Sequence, residues 1–398
     1  MLTFTAAMFA CCAGYATHGT ELIGIGALQK GTGGAGVASP KDSTWVLLNP
    51  ASIVGMDCQL DVSLELFAPE RYKDTHGLFS NWGADRNADD SVFLIPSLGY
   101  THCDGGDSAW GIGLYGVSGM GVEYDSSRSL LPKLLLRNYD RRTEYSVAKL
   151  AVGYTRMLGN SGWSLGVAPT LVYSRFKTDM LTLAFAQAEA DNDWDDAFGA
   201  GISIGVYRRW ERFGFGATYA SRTWMTEFED YGDLFFESMD LPQTFQIGIA
   251  YDITPKLELV ADYKWIDWSG VAQMGDEPLQ GGFGWDSQHV FKAGLTWSAT
   301  PKWTFRGGVS YADSPISEGH VFANALFPAI TEMHVAAGLS YAITERSEVH
   351  IACMHAFENE LKDSGRGDLF SILGRGTEAG LEENTVTVEY SYKFKAAK

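Results

Sequence analysis

The chain has 398 residues, 45% hydrophobic and 13% aromatic, with 45 glycines and 12 prolines, a composition that excludes a collagen-like or disordered chain. A net charge of -19 excludes a nucleic-acid partner, since no basic face is available to neutralise phosphates. The length suits two soluble domains or one large barrel, and a mean hydropathy of -0.09 is compatible with either, because lipid-facing and lumen-facing residues of a barrel alternate and cancel.

Residues 1–16 open the chain with an apolar core at 2–10 and a small-residue exit at Gly14, Tyr15 and Ala16. This predicts a secretory signal peptide cut after Ala16, although no Lys or Arg precedes the core. Cys11, after Met8, Phe9 and Ala10, leaves a lipoprotein signal as the alternative. No run reaches the ~18 apolar residues of a transmembrane helix.

Residues 17–57 carry Gly24, Gly26, Gly31, Gly33, Gly34 and Gly36, then Asn49, Pro50 and Ala51. They lack a strand pattern and are too weakly charged for a solvated tail. A segment folded into a barrel lumen is expected, since a barrel of this size needs filling unless it conducts water. Asn-Pro starts turns readily; here Asn49 and Pro50 are expected to pin the segment to the wall.

From about Cys58 the pattern is period two. Phe245, Ile247, Ile249 and Tyr251 alternate with Gln246, Gly248, Ala250 and Asp252. Phe291, Ala293, Leu295 and Trp297 alternate with Lys292, Gly294, Thr296 and Ser298. Val386, Val388, Tyr390, Tyr392 and Phe394 close the chain in the same way, followed by 395–398. Such strands are half-buried, as in a β-sandwich or a membrane barrel. Their length, near the ~9–11 residues of a tilted bilayer crossing, and the aromatics at their ends, such as Trp265, Trp268, Trp297, Trp303 and Tyr311, favour the barrel.

Connections alternate. Short ones are expected at 102–107, 158–162, 208–212, 252–256, 299–302 and 343–346, and long ones at 69–90, 123–144, 177–196, 226–241, 269–286, 313–330 and 358–383. Tight periplasmic turns and long outer loops are the build of outer-membrane barrels, and the count gives about fourteen strands. The reading is all-β: a transmembrane antiparallel barrel over residues 58–398.

These segments resemble the FadL/TodX family. Gly24 to Ala27, Gly33 to Ala38, Asp42 and Asn49-Pro50-Ala51 are similar to its N-terminal hatch. Leu241-Pro242-Gln243 with Trp268-Ser269, then Lys302 to Gly308, and then Phe327-Pro328-Ala329 are similar to its successive hairpins. The resemblance implies a plugged fourteen-stranded barrel, a kinked third strand with a side opening, and ATP-independent passage of long-chain fatty acids or other hydrophobic compounds. Hatch residues are then Gly33, Gly34, Asn49, Pro50 and Ala51. The glycines of the third strand, including Gly113, Gly116 and Gly119, either make room for the hatch or kink the wall.

Leu131, Leu134, Leu135 and Leu136 in one outer loop and Leu234, Phe235 and Phe236 in another are expected to form an apolar capture patch, with packed loop core as the alternative. A carboxylate head would need a lumenal cation, and strand parity nominates Arg306, Lys292, Lys149 and Arg175. Cys58 and Cys103 fall at one end of one hairpin, where either a disulfide or two free thiols are possible; Cys353 should face lipid. No spacing points to a metal site or cofactor. Ser146 sits in no Gly-x-Ser-x-Gly elbow, and with His289, His334 and His350 as the other candidates passive transport is expected rather than catalysis. A surface lipid hydrolase and an open porin are the rival readings. Lipopolysaccharide and outer-membrane lipid are the expected surroundings, with the chain acting as a monomer.

Overall fold

A computed structural model describes residues 17–74, 84–85, 92–103, 106–124, 141–178, 193–232, 235, 237–325 and 327–394. The segment expected to be a signal peptide, and Leu131, Leu134, Leu135, Leu136, Leu234 and Phe236 of the expected capture patch, lie outside these residues.

Fourteen antiparallel strands form the wall. They are β1 (Gln59–Asp74), β2 (Phe93–Cys103), β3 (Ser108–Tyr124), β4 (Arg141–Met157), β5 (Trp163–Thr178), β6 (Asp195–Arg209) and β7 (Phe213–Ala220), then β8 (Thr244–Thr254), β9 (Leu257–Ile266), β10 (Gln288–Ser298), β11 (Trp303–Tyr311), β12 (Met333–Ala342), β13 (Ser347–Lys362) and β14 (Glu378–Lys393). Each pairs with its sequence neighbour, and β14 closes on β1 from Glu378↔Asp74 to Lys393↔Gln59. A ring of this kind leaves no sheet edge, which is what a bilayer requires of a β-structure.

The faces settle the choice between sandwich and membrane barrel. Val62, Leu64 and Leu66 of β1 point outward at 46%, 45% and 44% exposure, while Asp61, Ser63 and Glu65 between them are buried inside. Val386 and Val388 of β14 are exposed, and Thr385, Thr387 and Glu389 are buried. An apolar exterior around a polar interior inverts a soluble core and matches lipid as the outer solvent. Exposed Tyr251, Trp297, Trp303 and Tyr311 lie at strand ends as expected.

The turns at 158–162, 299–302 and 343–346 fall where the sequence places them. Some of the long connections, such as that expected at 358–383, are shorter than expected, while those at 226–241, 269–286 and 313–330 are slightly longer. Residues 69–74 and 378–383 continue β1 and β14 as paired strand. Several strands exceed the bilayer-crossing length, so one side of the wall stands taller than β7 to β12.

Residues 17–57 lie inside the ring. Two short strands, Thr17–His18 and Glu21–Leu22, pair as a hairpin; α1 (Gly26–Gly31), α2 (Trp45–Leu48) and a 3-10 turn (Pro50–Gly55) follow. Such short helices cannot stand alone, and side chains of the wall complete them. The Glu389 carboxylate accepts from Ala27 N at 2.6 Å, Asp262 from Gly36 N and Val37 N at 2.7 and 2.9 Å, and Asp61 from Ser43 N at 2.7 Å. These partners belong to β14, β9 and β1, so the segment is held from around the circumference, as a plug in the lumen.

Candidate functional site

The hatch is fixed by its backbone first. Gly33 and Gly34 adopt φ of 67 and 76, a left-handed conformation that favours glycine. Gly33 lies against the backbone of Val309 in β11, with no room for a side chain. Fully buried Asn49 caps the 3-10 turn by accepting from Ala51 N at 3.1 Å. Its amide donates to Val37 O at 3.0 Å and to Val206 O of β6 at 3.2 Å. The carbonyl of Ala51 accepts from Ser164 Oγ at 2.7 Å and Thr155 Oγ1 at 3.1 Å. Lys30 of α1 pairs with Glu65 of β1 at 2.7 Å, both almost fully buried. Each bond satisfies a group that would otherwise be stranded in the lumen.

The wall is irregular at one place. β2 and β3 pair from Cys103↔Ala109 only as far as Ser97↔Tyr115. The next β2 residue is Pro96, which has no N–H to donate. On the other side of β3, register with β4 shifts between Gly116 and Ser118, leaving Val117 as a bulge. A Cβ on Gly116 would lie 2.6 Å from Ile95 Cγ2. Gly116 sits at the break, whereas Gly111 lies against Val46 of α2. In place of β2, the second half of β3 takes the hatch as neighbour. Glu21 pairs with Ser118, Gly119 N donates to Thr20 O at 3.3 Å, and Ser118 Oγ donates to Thr20 Oγ1 at 2.9 Å. Leu22 packs with Phe67 of β1 and Ile95 of β2.

A cavity of about 120 Å³ borders this seam. Leu22, Ile23 and Ile25 of the hatch, and Leu241, Pro242 and Trp268 of the outer connections, supply apolar surface; Val117 and Ser118 bring in the bulge. Lys149, Lys264 and Lys292 line it together with Glu21. Lys264 and Glu21 form an ion pair, and Lys292 donates to Ile23 O at 3.1 Å. Lys149 has no hydrogen-bond or ion-pair partner among the described residues. Burial alone would raise the Glu21 carboxyl, but Lys264, with Lys149 and Lys292 nearby, holds it below its ordinary value.

Of the four nominated cations, Lys149 and Lys292 meet at this cavity. Arg306 faces the lumen elsewhere and donates to Ser340 Oγ at 2.5 Å. Arg175 is a correction. In β5 the buried parity is Val172, Ser174 and Phe176, so Arg175 faces outward and stacks over Trp194, 3.6 Å from its ring centroid. Glu21, Leu22 and Lys264 were not singled out from the sequence, although Lys264 shares the parity of lumenal Asp262 in β9.

Phe235 differs from expectation too. It is buried in the outer-loop core, against Phe176 at 4.9 Å and Phe228 at 6.1 Å between centroids, not in an exposed patch. No disulfide joins Cys58 to Cys103. The β1–β2 register aligns Gln59 with Thr101, which sets Cys58 opposite His102 and turns the two cysteine side chains to opposite faces. Cys58 Sγ rests on the backbone of Cys103, while Cys103 Sγ donates to Ile53 O of the hatch. Cys353 is exposed on the outer face, as parity predicts. His350 is held between Ser340 and Ser391 at 2.6 and 3.1 Å, a structural arrangement.

Residues 4–394 match the family model described as outer membrane protein transport protein (OMPP1/FadL/TodX). The toluene transporter TodX of Pseudomonas putida has a similar structure, with a TM-score of 0.72 at 17% identity over 94% of this chain and 99% of that one. The toluene transporter TbuX of Ralstonia pickettii gives 0.67 at 17% identity, over 94% and 99%. A FadL homologue of Pseudomonas aeruginosa gives 0.69 at 14% identity, over 94% and 100%. No curated protein sequence matches the chain. The fold of those channels and the family match over nearly the whole length agree with the polar interior, the apolar exterior and the plugged lumen. The chain belongs to the OMPP1/FadL/TodX family of outer-membrane transport proteins, channels for hydrophobic compounds and not enzymes.

Proposed function

We propose that the protein carries hydrophobic compounds with an anionic head group, of which a long-chain fatty acid is one, from the outer loops through the lumenal cavity and sideways into the membrane at the β2–β3 seam. The observation that carries this is the set of three lysines converging on a cavity whose remaining wall mixes apolar Leu, Ile and Trp with Thr, Ser and Gln side chains. The tail gains ~0.8 kcal/mol per CH₂ removed from water, which makes the passage downhill into the site without ATP. The head gains a charge-assisted bond to Lys149, the cation with no partner of its own among the described residues. The end of pairing at Ser97↔Tyr115, next to the cavity, gives the compound a way out that avoids the periplasm. The plug itself argues against an open porin.

A second reading is favoured by size. A cavity of about 120 Å³ is close to the ~150 Å³ that takes a benzene ring, and a long acyl chain would extend beyond it. Two of the similar structures are toluene transporters. Under this reading a neutral monoaromatic compound is the cargo and the lysines serve to hold the hatch. Uptake into liposomes separates the two. Under the first, radiolabelled dodecanoate enters and Lys149→Met slows it several-fold; toluene uptake that Lys149→Met leaves unchanged, with no dodecanoate uptake, supports the second.

A further inference from the structure

The hatch hairpin joins two things that lie apart in the wall. Glu21 reaches into the cavity and pairs with Lys264. The adjacent Leu22 lines the cavity on one side and packs with Phe67 and Ile95 on the other, where β3 has parted from β2. Between them the hairpin bridges the break by pairing Glu21 with Ser118. A carboxylate thus already occupies the lysine cluster, and the residue after it stops the seam.

We propose that Glu21 is an internal stand-in for the ligand head group, so that an incoming carboxylate which binds Lys149 and with its second oxygen takes Lys264 from Glu21 also withdraws Leu22 from the seam between β2 and β3. This rests on the reading of the cavity as the transport site. The exchange costs little in charge, because one carboxylate replaces another on the same ammonium. It leaves Glu21 without its one ion pair among the described residues, with Lys149 and Lys292 nearby but not in contact, unless the hairpin moves, and a buried charge that has lost its partner is expensive. That penalty drives the hairpin out of its pairing with β3. Its ties to β3 include one residue pair with Ser118, the Thr20 hydroxyl contact at 2.9 Å and the 3.3 Å bond from Gly119 N, while His18 at the hairpin's start stays hydrogen-bonded to Ser310 of β11 at 2.8 Å. A neutral ligand of the same length fills the cavity without displacing Glu21 and leaves the stopper seated. The device therefore selects for anionic cargo at the exit step, after binding.

Hydrogen exchange read by mass spectrometry on the full chain in nanodiscs tests this, with dodecanoate and dodecanol as probes and calorimetry as the check on binding. Saturating dodecanoate is expected to speed exchange of segment 19–25 at least tenfold, and dodecanol to leave it unchanged. Glu21→Gln is expected to exchange fast without ligand, with dodecanoate adding nothing. The wild-type comparison needs no variant, so a misfolded Glu21→Gln does not blunt the test. If dodecanoate binds and segment 19–25 stays protected, the coupling is wrong while the cavity remains a binding site. If dodecanol opens the segment equally, displacement of Glu21 is not the trigger. If neither probe binds, the transport-site reading fails and takes the proposal with it.

Discussion

The side-chain amide of Asn49 in the hatch donates to the backbone carbonyl of Val206 in β6 at 3.2 Å, tying plug to wall through a residue with no exposed surface. The same amide holds Val37 O, and its carbonyl oxygen caps the turn at Ala51. Asn49→Ala removes all three hydrogen bonds at once and takes from Val37 O and Ala51 N, both buried in the hatch, the partner they have, at about 1–3 kcal/mol each. The barrel should still form, because its ladders do not involve Asn49. Single-channel recording is expected to show ion current in the variant where the wild type is silent.

Gly166 of β5 meets the hatch backbone head on. A Cβ there would overlap Pro50 and Ala51. Gly166→Ala should cost about 1–3 kcal/mol of overpacking, relieved by lifting the hatch and not by opening the ladder. Partial conductance with the folded barrel's mobility on unheated gels unchanged is the expected pair of results; loss of that mobility would place the strain in the wall.

Much of this was legible in the chain and some was not, for physical reasons. Strand alternation is set by which solvent each face meets, so Trp303–Tyr311 and the tight turns could be read directly. The ends of some long connections could not, because strands that rise above the bilayer lose the lipid-facing apolar signal while keeping their hydrogen bonds, as at Glu378 to Glu383. Parity placed Lys149, Lys292 and Arg306 in the lumen and failed for Arg175, where one residue of slip reverses the face. The same one-residue offset separates Cys58 from Cys103. Glu21 and Leu22 were silent, because a two-residue strand has no period to read and its partner lies 97 positions downstream at Ser118 (118 − 21).

Asp42 makes hatch docking depend on pH. Burial first, and the Asp61 carboxylate second, raise its carboxyl to about 7. Glu389, Tyr115 and the more distant Arg306 also face it. An acid whose pKa rises on folding keeps its proton in the docked state after the free chain has lost it. Its contribution is therefore fully present below the free value, ~4, and is lost as the pH rises to about 7. Hatch protection in hydrogen exchange, corrected for intrinsic rates, should fall across that window and level off above it. Asp42→Asn should flatten the curve; an unchanged slope would assign it to other groups.

Phe235 separates loop core from capture surface. Truncating a buried aromatic costs about 3–5 kcal/mol of local stability. Phe235→Ala is expected to expose the outer loops to protease at low enzyme concentration. Intact loops combined with weaker uptake would restore it to a capture role.

On the proposed route the hatch hairpin leaves the β2–β3 seam during transport. Ser118 Oγ and Thr20 Oγ1 lie 2.9 Å apart, close enough for a disulfide between Thr20→Cys and Ser118→Cys to lock the hairpin in place, in a background with Cys58, Cys103 and Cys353 changed to Ser. Liposome uptake of dodecanoate is the measurement. Uptake should stop when the pair is oxidised and return on reduction. Equal uptake in the locked and unlocked states would contradict the account.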